Sequence, residues 1–337
     1  MTEKVRIGIA TPAGMTAANG YFSAASALGF DREEGLNFEF FYGEEPSTTA
    51  RALCSGECDI ASLNTTVGLL GRDDGLSMKA VYGKARRTHR WFAVMSDSPI
   101  QSLADLRGKR IACDFPHLQV LAESALAEEN VPRGSYQWVP WRGSGMETGA
   151  MLDPLRGGEV NAVFLIDWNA GDFNANGLFL RRLPSKALDR IRLSSCLWVT
   201  ESYLADKSPA ILGTGRAMAK VTVFALENPQ ETVRLMWTRH PQTRPSRRDQ
   251  DRILRRDLEI MKARIDSFRI DPADPDPRWG VIEEREIVAW QNFLLASAAI
   301  KQRLDPKVFY TNQFVDDYNR FDAAQIRKRA RDTTQIA

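Results

Sequence analysis

Thr11, Met15, Asn64, Thr65, Asp114, His117, Trp141, Arg142, Asp167 and Trp168 are the residues of this chain best suited to hold a small charged molecule. All fall where a strand is expected to end in a loop. Asn64-Thr65-Thr66 and Asp114–His117 read as loops running into helix N-termini. The free N–H groups and dipole of such a terminus favour a carboxylate, sulfonate or phosphate. Arg142 offers a bidentate anion clamp, and Trp141 and Trp168 offer flat apolar walls. Each tryptophan equally suits packing between lobes, and Arg142 equally suits a surface ion pair. His117 follows Pro116 near a helix start, where the charged ring is disfavoured and a neutral ring can donate or accept a hydrogen bond. Asp167 is the one acid at the end of an apolar strand. A buried acid needs a partner, so it holds a ligand amine or hydroxyl, or it holds Arg142. If the site performs chemistry, His117 with Asp114 is the pair available for proton transfer.

Other chemistries find less support. The four cysteines, Cys54, Cys58, Cys113 and Cys196, include no second close pair, and the three histidines lie far apart. They are expected as small core residues, not as metal ligands. No cofactor is expected. The 45 basic and 43 acidic side chains leave a net charge of +2, which gives no electrostatic reason for a nucleic-acid partner. Two basic runs, "KARR" at Lys84–Arg87 and "RKRARD" at Arg327–Asp332, are expected as solvated faces. No apolar run reaches the roughly 18 residues of a membrane span. "MTEKVRIGIA" lacks the apolar region of a leader, so the chain taken literally is cytoplasmic; with a leader removed it is periplasmic.

Strands and helices alternate from the start. Val5–Ala10, Leu36–Tyr42, Asp59–Leu63 and Lys79–Gly83 read as strands, with helices over Tyr21–Gly29 and Ser47–Cys58. The alternation predicts right-handed crossovers and a mostly parallel sheet, an α/β fold. The pattern then repeats. "RIACDFP" at Arg110–Pro116 echoes "RIGIATP" at Arg6–Pro12, and "GGEVNAVFLIDW" at Gly157–Trp168 echoes "SGECDIASLNTT" at Ser55–Thr66. The second copy continues with helices over Leu118–Glu129 and Thr148–Arg156 and strands over Tyr136–Pro140 and Ala162–Ile166. Two lobes of similar topology would face each other across a cleft, a favoured place for a small-molecule site.

The stretches "GECDIASLNTT", "GLSMKAVYG", "DSPIQSLADLRGKRIA" and "GGEVNAVFLIDWNAG" resemble the NMT1/THI5-like superfamily, with a weaker likeness at "FYTNQFVDDYNRF". The resemblance implies a two-lobed type 2 periplasmic-binding-protein-like fold, here with a helical C-terminal extension. It places residues 1–91 and 200–337 in lobe one and 92–199 in lobe two, with chain crossings near Trp91–Met95 and Cys196–Thr200. Thr11, Asn64, Thr65, Asp114, His117 and Asp167 then match the usual ligand-loop positions. The implied function is non-enzymatic binding of a small organic anion: a carboxylate, a sulfonate or a pyrimidine-like compound, including aromatic ones. The lobes would close by hinge motion, and the partner, if the chain is exported, is an ABC permease. The superfamily also contains intracellular enzymes, and a ligand sensor on this scaffold is a further alternative. A desulfinase-like nucleophile is missing, since "TPAGMTAANG" has no cysteine, and the "CCCFC" run of the pyrimidine synthases is absent. A decarboxylase or lyase would rest on His117 and Asp114.

After Thr200 the chain is expected to be mostly helical, over Lys207–Glu227, Arg247–Phe268 and Glu283–Ile300, broken by the proline-rich "DPADPDPRWG". These helices are expected to cover lobe one, with an Ile253/Leu254/Leu258/Met261 stripe facing its core.

Overall fold

A computed structural model describes residues 2–11, 14–113, 119–141, 148–271, 273–274, 277–296 and 298–333. The strands are β1 (Glu3–Ala10), β2 (Leu36–Gly43), β3 (Ile60–Asn64), β4 (Met78–Ala85), β5 (Arg90–Met95), β6 (Arg110–Cys113), β7 (Gln137–Pro140), β8 (Ala162–Ile166), β9 (Leu180–Arg182) and β10 (Ser195–Thr200). They form two five-stranded sheets, ordered β2-β1-β3-β10-β4 and β7-β6-β8-β5-β9. Position by position, the second order repeats the first. In each sheet the first three strands run parallel. The fourth position is antiparallel to both neighbours, and it is held by β10 in one sheet and β5 in the other. Each antiparallel strand therefore enters its sheet from the other half of the chain. That exchange is why the sheets are mixed where simple strand–helix alternation predicts a mostly parallel arrangement.

The repeated phrase in the sequence encodes one junction built twice. Helix α2 (Pro46–Ser55) ends at Gly56 with φ 79°, and the helix Leu152–Arg156 is followed by Gly158 with φ 69°. Glycine reaches this left-handed region without a Cβ penalty. Three residues after each glycine stand Asp59 and Asn161. The Arg6 N–H donates to Asp59 Oδ2 at 2.7 Å, and the Asp59 N–H donates back to the Arg6 carbonyl at 2.9 Å. The Arg110 N–H donates to Asn161 Oδ1 at 2.9 Å, and the Asn161 N–H returns to the Arg110 carbonyl at 2.9 Å. Each acceptor side chain thus ties the strand it precedes to the strand beside it. The third strand of the second copy, β8, has all five residues buried, as a strand covered on both faces requires.

The helices used below are α1 (Gly20–Ala27), α2 as given, α3 (Thr65–Asp73), α4 (Gln119–Glu128), α5 (Leu152–Arg156), α6 (Asp167–Ala175), α7 (Ser208–Glu227), α8 (Pro229–Arg239), α9 (Gln250–Asp266), α10 (Glu284–Ala296) and α11 (Ala323–Thr333). Among the described residues no helix is long and apolar enough to cross a membrane. Helix α7 does cover the first sheet, with Ala217, Val221 and Phe224 in the core that holds Ile7 and Phe22. Helices α9 and α10 depart from the expectation. Met261 and Ile265 of α9 sit in that same core, yet the opposite side of α9 packs on α6, beyond β8 of the second sheet. A Cβ built on Gly171 of α6 would lie 2.8 Å from the Glu259 carbonyl carbon and oxygen. Helix α10 touches both α3 and α4. Two C-terminal helices therefore strap the lobes together, where covering lobe one alone was expected.

"KARR" is also not a solvated face. Lys84 and Arg86 are buried. Arg86 Nη2 donates to both carboxylate oxygens of buried Glu286 of α10, at 2.8 and 3.0 Å. The run looks like surface because four charged or small residues are adjacent, but it leaves β4 directly into the seam between the lobes. "RKRARD" behaves as expected: α11 buries Ile326 and Ala330 and turns most of its charges outward.

The α6–α9 contact leaves no room for a side chain at Gly171, since the three nearest neighbours of the missing Cβ are backbone atoms of Glu259 and Ile260. Gly171→Ala should lower the unfolding free energy by about 1–3 kcal/mol through overpacking. Urea denaturation reads this directly; an unchanged midpoint would mean that α9 does not bear on α6 in solution.

Candidate functional site

Strands β1, β3 and β8 end close together, and their C-terminal residues Ala10, Asn64 and Ile166 line one cavity of about 50 Å³. This is where ligands collect on open α/β sheets. Three basic side chains reach the same cavity: Lys84 from β4, Arg90 from β5 six residues later, and Arg264 from the distant α9. Their exposures are 3%, 5% and 3%, so all three are withdrawn from water. Lys84 donates to the hydroxyls of Tyr21 and Ser62. Among the described residues no carboxylate lies within ion-pair range of Lys84. Arg264 lies 5.0 Å over the Trp168 ring. Its nearest carboxylate is Asp167, with Nη1 3.8 Å from Oδ2.

This arrangement shifts Lys84, His89 and Asp167. Burial, then the positive charge of Arg264, pushes the Lys84 ammonium well below its ordinary range. His89, on the segment joining β4 to β5, is pushed down by burial and then by Arg264, Arg90 and Lys84, so its ring is neutral at pH 7. Asp167 opens α6, and its N–H donates to the His89 carbonyl at 2.7 Å. Burial pushes its carboxyl up to about 6, against the opposing pull of Arg264.

The residues singled out from the sequence divide. Asn64 and Trp168 line the cavity. Asn64 stands at the N-cap of α3, and its side chain makes no capping bond. Asp167 lies beside the cavity and faces Arg264. The Thr11 hydroxyl, just past β1, is buried without a hydrogen-bond partner among the described residues. Met15 packs in the first-sheet core and borders an open groove with Trp168. The Thr65 hydroxyl donates to the Leu193 carbonyl, which commits it to the seam and away from the cavity. Trp141 packs edge-on against Phe173 at 6.0 Å, within the second-sheet core. Asp114, His117 and Arg142 lie outside the described residues. Sequence reasoning missed Lys84, Arg90, Arg264 and His89. One signal was available: Arg264 follows Met261 by three and precedes Ile265, which puts a guanidinium on the buried face of its helix.

A sheet pair with exchanged fourth strands and a site between them is the type 2 periplasmic-binding fold. Residues 18–232 match the family model described as NMT1/THI5 like, and the chain belongs to that family. No curated protein matches the chain. Among solved structures, it is similar to the alkanesulfonate-binding protein SsuA from Xanthomonas axonopodis pv. citri bound to MOPS, at 15% identity and TM-score 0.65 over 93% of this chain and 100% of that one. The periplasmic aliphatic sulphonate binding protein SsuA from Escherichia coli is similar at 15% identity and TM-score 0.65, over 91% and 97% of the two chains. A DSZB mutant in complex with biphenyl-2-sulfinic acid is similar at 14% identity and TM-score 0.60, over 94% and 99%. At these identities the likeness establishes the fold.

The Asp167 shift has a consequence for stability. The folded protein holds this proton more tightly than the unfolded chain does, so the stabilisation is present below pH 4 and is lost as pH rises through about 6. Measured against Asp167→Asn, the wild-type protein should lose about 1–3 kcal/mol between pH 4 and pH 7.5. Melting curves of the two proteins across that range would run parallel if Asp167 titrated as it does when unfolded.

Proposed function

We propose that this chain is a solute-binding protein that closes its two lobes over a small organic anion. The observation that carries this reading is that buried Arg264 and Lys84 meet at one cavity, where Arg264 Nε and Nη1 have no hydrogen-bond partner among the described residues and Asp167 stands 3.8 Å away. Withdrawing a cation from water costs several kcal/mol unless an opposite charge compensates it. An anion in the cleft would supply that compensation to groups from β4 and α9 together. Trp168 offers a flat apolar wall for the organic part, and Asn64 a neutral polar contact. A sulfonate, sulfinate or carboxylate meets these demands. The sulfonate and sulfinate named for proteins of the same fold are consistent with this class.

Binding requires opening. A cavity of about 50 Å³ accommodates a few water molecules, whereas drug-sized ligands occupy pockets of about 300–1,000 Å³. Larger grooves of about 580 and 530 Å³ flank α9, both reaching α6. Separation of the lobes at the segments around His89 and Ser194 would join these spaces, and ligand contacts to both lobes would stabilise the closed form. As a receptor, the protein would act outside the cytoplasm and hand its ligand to an ABC permease.

Ligand-observed NMR with a panel of small carboxylates, sulfonates and sulfinates, followed for hours, tests the reading. Saturable broadening with the compound intact is expected. Arg264→Ala should raise Kd about tenfold or more, since a charge-assisted hydrogen bond contributes about 1.5–3 kcal/mol; Arg110→Ala, at an exposed residue, should leave it unchanged. Steady conversion of a panel compound would replace the receptor reading with an enzymatic one.

A further inference from the structure

Asp167 and Arg264 face each other without completing a bond. Their nearest atoms, Oδ2 and Nη1, are 3.8 Å apart, although both side chains are buried. Asp167 Oδ2 and Arg264 Nε and Nη1 have no hydrogen-bond partner among the described residues. A buried arginine and carboxylate ordinarily close to about 2.7–2.9 Å. The indole Nε1 of Trp168 is likewise buried and unpartnered, under the guanidinium. Unspent donors and an unspent carboxylate oxygen thus meet where Trp168 and Arg264 line the cavity.

We infer that an anion binding here takes Arg264 from Asp167, and that Asp167 takes up one proton as it does so. This rests on the reading that the cavity holds an anion. Two anionic oxygens side by side in a site withdrawn from water repel each other, and neutralising one of them removes the repulsion. The proton comes from solvent and goes to the Asp167 carboxylate, which then becomes a donor toward the bound anion; no covalent bond to the ligand forms or breaks. The groups facing Asp167 permit this. Arg264 and Ser267 approach from the C-terminal helix and Arg90 from β5, with Lys84 of β4 and the neutral His89 beyond. On its own helix Asp167 accepts the Trp168 N–H at 2.9 Å through its other oxygen. Burial already holds the carboxyl up to about 6, and Arg264 is the largest influence opposing that rise. Engaging Arg264 elsewhere weakens the opposition.

Titration calorimetry with methanesulfonate, benzenesulfonate and sulfate, in buffers of differing ionisation enthalpy, measures the protons taken up. These probes stay ionised across the range, so any proton belongs to the protein. At pH 7.5 the wild-type protein should take up close to one proton per anion bound, and Kd should rise toward tenfold per pH unit above about pH 6.5. Asp167→Asn should take up none, and should bind at pH 8 at least as tightly as the wild type. Binding without proton uptake by the wild type overturns the inference. Uptake that persists in Asp167→Asn overturns it too, by assigning the proton to another group such as His89. A folded Asp167→Asn that no longer binds makes Asp167 a direct ligand contact. Failure of all three probes to bind either protein removes the anion site itself, and the wild-type buffer series decides the matter alone if the variant does not fold.

Discussion

The structure depends on how it manages positive charge at the seam between its lobes. Lys84, Arg86, Arg90 and Arg264 are all buried there. Arg86 is answered by Glu286, an acid carried by α10. Lys84 has hydroxyl partners, and Arg264 has an aromatic face and a carboxylate held just out of bonding range. The difference separates a structural pair from a site. A closed pair such as Arg86–Glu286 resists opening, because losing one partner strands a buried charge. A cation left partly unanswered is instead a standing demand for an anion, and it is what makes ligand-driven closure a sensible use of this fold.

The sequence reaches that arrangement by duplication and exchange. Two βαβ halves end their helices on Gly56 and Gly158 and fix their third strands through Asp59 and Asn161. Each half lends the other a strand, β5 or β10, so the connections between sheets are short and run through the seam. The C-terminal helices then span what the sheets leave apart. Helix α9 has Met261 and Ile265 in one lobe's core and packs against Gly171 of the other. It therefore places Arg264 between them, and a ligand contacting Arg264 would bear on both lobes through one helix.

Most of the fold was legible because local rules wrote it. Alternating strands and helices, the glycine stops and the recurring Asp/Asn are short-range signals, and the repeat made them readable twice. Asn64 and Trp168 were legible as cavity residues for the same reason: each sits at or just past a strand end. The cation cluster was not legible, because Lys84, Arg90 and Arg264 meet only after strand exchange and the return of α9, which no local pattern announces. "KARR" read as surface since adjacent charges usually are; its position leaving β4 overrode that. Asp167 was noticed as a buried acid in need of a partner, but the partner came from almost a hundred residues downstream. Trp141 shows the converse, a residue with the chemistry of a ligand wall that the fold uses for packing against Phe173.

The most direct measurement is a crystal structure of the protein grown with a brominated arylsulfonate, with the anomalous signal of bromine locating the ligand. The expected result is sulfonate oxygens within hydrogen-bonding distance of Arg264 and Lys84, with the ring against Trp168. Bromine found only in the outer grooves beside α9, with the space between Lys84, Arg90 and Arg264 empty of anion, would contradict it.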